Sequence, residues 1–105
     1  MNTLEKLKVM LGITGTDEDD VLQLLLDDAQ ADLLTWTNRN ELPAALEPIQ
    51  RQIAVIRYNK QGAEGETAHS EGGISRTFDD LPESIQNAIS QYRLLKVAKY
   101  AAAQA

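Results

Sequence analysis

Between Asp17 and Thr37, the residues Leu22, Leu26, Ala29, Leu33 and Trp36 recur every three to four positions. That spacing places them on one face of an α-helix, whereas a strand alternates with a period of two. Val21 and Leu25 widen the stripe, and Asp27, Asp28 and Asp32 occupy the polar side. A helix of this length is roughly 30 Å long, the spine of a small domain. Its apolar face has to be covered, so the rest of the chain must fold onto it.

The flanking segments supply covers of the same kind. Residues 2–12 predict a short helix capped by Thr3, with Leu4, Leu7 and Leu11 on one face and Gly12 as its terminator. Thr16 or Asp17 is the expected cap of the long helix. The run Asp17-Glu18-Asp19-Asp20 puts negative charge at its positive dipole end. A third helix is expected from about Ala45, with Pro48 in its first turn. Leu46, Ile49, Ile53 and Ile56 form its apolar face, Ala54 is a point of close approach, and Gly62 is its end. A last helix is expected from Pro82 to Lys99, capped by Asp80, with Leu81, Ile85, Ala88, Ile89, Tyr92 and Leu95 on its buried side. Leu22, Leu26, Leu33, Ile49, Ile53, Ile85, Ile89 and Tyr92 are expected to share one core.

Residues 61–80 differ in character. Glycine is frequent and apolar residues are nearly absent up to Gly73, so 61–73 are expected to be flexible. Ile74 to Phe78 reads as one short strand with Ile74, Arg76 and Phe78 on a shared face and no partner strand in the chain. The expected fold is therefore all-α. It is a small bundle of about four helices with a long Gly-rich loop and one short strand before the last helix, forming a single domain over 1–105.

Composition narrows the function. Aromatic residues are only 5% of the 105, so Leu, Ile, Val and Ala must do the packing. The formal net charge is -6, distributed as -7 over residues 1–49 and +1 over residues 50–105. Wrapping a phosphate backbone needs a basic face, so this balance argues against a stand-alone DNA-binding protein. The chain has no cysteine, which excludes a disulfide framework, a thiolate metal site and a cysteine nucleophile, and fits a reducing compartment. No apolar run approaches the ~20 residues that span a bilayer. Glu5, Lys6 and Lys8 interrupt any signal-peptide core, so no membrane association is expected.

Catalytic chemistry finds little support. His69 is the one histidine and sits in the Gly-rich stretch without a nucleophile motif. The acidic run at 17–20 lacks the alternating ligands and glycine of a calcium loop, and dipole capping accounts for it. No enzyme activity, metal or cofactor is expected. Arg93, Lys96 and Lys99 share helical spacing with no acid after Glu83. They suit a solvated helix end, and equally a phosphate or an acidic partner. Trp36, at the end of its stripe, reads as core or as an interface anchor.

The order of several short motifs is more specific. Tyr58-Asn59-Lys60 and Gly62 are followed by Glu64-Gly65, then Ser70-Glu71-Gly72-Gly73-Ile74-Ser75 with Phe78, then Pro82 and a helix carrying Tyr92-Arg93. Upstream, LKVMLGITGTDEDDVLQLLLDDAQ joins a short leucine helix ending in Leu-Gly-Ile to an acidic cap and a long helix. This resembles the head–tail connector (adaptor, head-completion) proteins of long-tailed bacteriophages and prophages over nearly the whole chain. It departs from them at Asn59-Lys60, where members often have Asn-Arg, and at Thr67 and Ala68, where they often carry serines.

The resemblance implies a structural protein of the virion neck, assembled in the host bacterial cytoplasm. Such adaptors form a ring of about a dozen copies beneath the portal protein. They present a surface to the next head-completion or tail protein, and DNA passes through the channel without sequence-specific binding. Ring closure joins two different faces of identical subunits, which suits the uneven charge. An acidic ring would let DNA slide rather than stick. The expected partner interface comprises Ile74, Arg76, Phe78, Arg93, Lys96 and Lys99. Two rival readings are a small acidic helical adaptor or inhibitor of a host or phage protein, and a DNA-packaging accessory protein using the late cations.

Overall fold

The structure, a computed structural model, describes residues 1–64 and 77–95. Four helices are present among them: α1 (Thr3–Leu11), α2 (Asp19–Thr37), α3 (Glu47–Glu64) and α4 (Glu83–Gln91). Two 3-10 turns, Ala44–Leu46 and Phe78–Asp80, lead into α3 and α4. The described residues are helical, as the periodicity requires, and contain no strand.

The ends of the helices follow local chemistry, though not always through the expected residue. Asn2 rather than Thr3 caps α1. Its side chain accepts from the Glu5 amide at 2.8 Å, and the Glu5 carboxylate accepts from the Asn2 amide at 2.8 Å. Gly12 ends α1 in the left-handed region, with φ 72°. Helix α2 starts one or two residues later than expected, at a Glu18 cap position whose side chain makes no capping bond. Asn38 closes α2 in the left-handed region at φ 58°, and the Arg39 amide reaches back to the Leu34 carbonyl at 3.0 Å. Helix α3 runs through Gly62 to Glu64, so the first residues of the expected loop are helical. One glycine costs a helix only about 1 kcal/mol, which a packed helix can absorb.

The 61–80 region differs from expectation where it is described. Thr77 is extended, but Phe78 opens a 3-10 turn rather than ending a strand. The Thr77 hydroxyl donates to the Asp80 carboxylate, and the Leu81 amide donates to the Phe78 carbonyl at 3.1 Å. These local bonds compete with extended backbone, and they occupy Asp80, the residue expected to cap α4. Pro82 takes the cap position instead, and Gln86 Nε2 donates to the Leu81 carbonyl at 2.7 Å. Residues 65–76, with the rest of the loop, His69 and the strand residues Ile74 to Arg76, lie outside the described residues.

Packing divides the expected single core into two lobes along α2. At its amino-terminal half, Leu22, Leu25 and Leu26 pack with Leu7 of α1 and Ala54 of α3. At its carboxyl-terminal half, Ala29 and Leu33 pack with Ile53, Leu81, Ile85 and Ile89, with Ile49 at the margin. Ala54 is fully buried, the close approach its size allows. Val21 faces outward. Tyr92 is half-buried against Arg39 and joins neither lobe, because α4 ends just before it.

Polar links lock α3 onto α2. Gln50 Nε2 donates to the Leu26 carbonyl at 2.9 Å, and Arg57 Nη2 donates to Asp32 Oδ2 at 2.8 Å. Tyr58 Oη donates to Glu18 Oε1 at 2.8 Å, holding its pKa above the ordinary tyrosine value. Burial and the Glu18 charge add to that shift. Arg57 and Tyr58 are neighbours on α3 yet reach points about 20 Å apart along α2, so α3 lies across α2. Among the described residues, no helix is long and apolar enough to cross a membrane.

Candidate assembly surface

The carboxyl end of α2 organises the part of the chain where the expected interface residues are described. Helix α4 stops at Gln91, short of the expected Lys99, because Tyr92 to Leu95 turn to meet the α2 terminus. A helix end leaves its last carbonyls without intrahelical partners. The Thr37 carbonyl finds one in the Leu94 amide, at 2.8 Å. The Leu94 carbonyl accepts from Asn38 Nδ2 at 2.8 Å, and the Tyr92 carbonyl accepts from Arg39 Nε at 2.7 Å. Three consecutive residues, Thr37, Asn38 and Arg39, therefore bind the segment after α4. The high helix propensity of Arg93, Leu94 and Leu95 is outweighed by these tertiary bonds.

This clamp fixes a mixed apolar and cationic surface. Arg39 lies over the Tyr92 ring with its guanidinium carbon 6.0 Å from the ring centroid. Trp36 and Phe78 meet edge to face at 5.5 Å and 75°, both half-buried against the second core lobe. Arg93, Leu94 and Leu95 are exposed just beyond. Such a combination suits protein recognition, where aromatic and arginine side chains supply much of the binding energy.

The expected interface residues are thus placed as follows. Phe78 has an intrachain partner in Trp36, so its apolar face is not bare as a lone strand would leave it. Arg93 is exposed beside the clamp. Ile74, Arg76, Lys96 and Lys99 lie outside the described residues. The sequence marks Asn38 and Arg39 as the end of α2, but not as the residues that bind Leu94 and Tyr92. The run Thr-Asn-Arg-Asn after the stripe held a signal, since asparagine tolerates the left-handed conformation that ends a helix.

The acidic run at 17–20 also has assigned work. Glu18 accepts from Tyr58, and Asp19 pairs with Lys8 at 2.8 Å, tying α1 to α2. A groove of about 430 Å³ opens beside α2, with Asp27, Glu41, Glu47 and Gln50 among its lining residues.

A family model described as phage gp6-like head-tail connector protein matches residues 1–93. The chain belongs to that family. The match takes in all four helices and the clamp up to Arg93. Head-tail connector membership makes it a structural component of a phage, associated with head and tail parts. A search of curated proteins finds no match, nor does a search of solved structures.

Proposed function

We propose that this connector-family chain is a ring-forming subunit that docks beneath the portal and joins the DNA-filled head to the tail. The observation that carries the reading is the family match over residues 1–93. Its role is structural rather than catalytic, its place is the virion neck, and its ring has about a dozen copies. The uneven charge supports heterologous ring closure, with the acidic first half of one subunit against the late cations of the next. DNA passes through the channel without sequence-specific contact.

Portal and neighbour contacts are assigned to the surface around Phe78 and Arg93, together with Ile74, Arg76, Lys96 and Lys99. The test is capture of the full chain by purified portal assemblies. Charge reversal at Lys96 and Lys99 together should weaken capture and reduce its salt sensitivity. A portal that retains no wild-type chain at low salt would overturn the reading.

A further inference from the structure

Among the described residues, two apolar features stay uncovered at opposite ends of α2. Toward its start, Leu24 is 59% exposed, and Val21 stands one turn before it on the same side. Beyond its end, Leu94 is 47% and Leu95 74% exposed. A single exposed leucine is ordinary. These pairs differ in having rims of opposite charge. Asp20 lies one turn before Leu24 and Asp17 just outside the helix, both exposed. Arg93 is exposed beside Leu94.

The second pair is also held in place. The Leu94 amide and carbonyl are both hydrogen-bonded to the α2 terminus, so Arg93 and Leu95 stand on anchored backbone. Binding through them forfeits less conformational freedom than binding through a free tail. Leu24 lies about 20 Å along α2 from Thr37, where Leu94 is anchored. The two patches therefore cannot cover one another within a chain.

We propose that the Leu24 ridge of one subunit, with Val21 and Asp20, is covered by Arg93, Leu94 and Leu95 of a second copy. The inference rests on the ring reading above and names the surfaces that would make the ring. The contact is heterologous: each copy offers one patch forward and the other backward, so the assembly closes if the rotation per subunit allows. Arg93 against Asp20 also offsets, at the junction, the repulsion between subunits of formal charge -6.

The test uses the full chain in sedimentation velocity over a range of concentrations. Leu24→Asp and Leu95→Asp should each weaken association by at least about tenfold while leaving the helical circular dichroism unchanged. An equal mixture of the two should form dimers and nothing larger, because each variant retains one intact patch. The chain has no cysteine, so the double variant Leu24→Cys, Leu95→Cys should be oxidised to covalent multimers, and each single variant to dimers at most. If the wild type assembles and all these variants assemble as it does without cross-linking, the patches are wrong and the ring reading stands. If the wild type stays monomeric at every concentration, alone and with portal, both fail.

Discussion

Replacing Asn38 with glycine should loosen the Arg93–Leu95 segment while leaving the fold intact. Asn38 does two jobs: it adopts φ 58° to end α2, and its Nδ2 donates to the Leu94 carbonyl at 2.8 Å. Glycine keeps the first at no steric cost and loses the second. A net hydrogen bond contributes about 0.5–1.5 kcal/mol. The Leu94 amide bond to Thr37 and the Arg39 bond to the Tyr92 carbonyl remain. A loss near 1 kcal/mol raises local opening by roughly fivefold, since 1.4 kcal/mol is a factor of ten. Hydrogen exchange of the Leu94 amide reads this directly, with the Ile89 amide of α4 as the control that should not move. Asn38→Ala should behave differently, because alanine must also be forced left-handed at about 1–2 kcal/mol. Its total cost, about 1.5–3.5 kcal/mol, should appear as global instability in urea. Unchanged Leu94 protection in Asn38→Gly would refute the clamp. Equal instability of the glycine and alanine variants would refute the role of the backbone conformation.

Asp32→Ala should cost about 3–5 kcal/mol in urea denaturation, because it strands Arg57, which is 3% exposed. Adding Arg57→Met should restore at least about 1 kcal/mol, and a double variant no more stable than the single would remove buried charge as the cause. The Tyr58 phenol is held above its usual pKa of about 10. Its contribution is thus complete below that pH and lost as pH rises through the folded-state value. Tyr58→Phe should flatten the alkaline loss of stability, and a steeper loss would contradict the Glu18 bond. Phe78→Ala should cost about 1–3 kcal/mol and shift Trp36 fluorescence to the red in the isolated chain. An unchanged emission would mean that Phe78 does not cover Trp36.

Much of the fold was legible as periodicity. Leu22, Leu26, Ala29 and Leu33 mark α2 as a helix with one buried face, and all four are buried. Ile53 and Ala54, adjacent on α3, were likewise readable as buried, and so was Gly12 as the end of α1. These features depend on residues within a few turns of one another, and short-range geometry repeats them. The family was legible for a related reason: the motifs on which the resemblance rests are short and local, and the family model matches residues 1–93.

What eluded the sequence depends on partners far along the chain. Nothing near Gln91 ends α4. Its stop is imposed by Thr37, Asn38 and Arg39, more than fifty positions earlier, which offer orphan or side-chain groups to Tyr92 and Leu94. Phe78 reads as an unpaired strand residue until Trp36 is placed beside it. Glu18 reads as part of a dipole cap until Tyr58, forty positions on, donates to it. The division of one stripe into two core lobes arises the same way, because α1 and α4 cover different halves of α2. Local sequence determines where hydrophobic faces form and, through Gly12 and Asn38, where α1 and α2 end. Where α4 ends, and which polar side chains are spent on the fold, is decided by distant groups that tertiary packing brings to them.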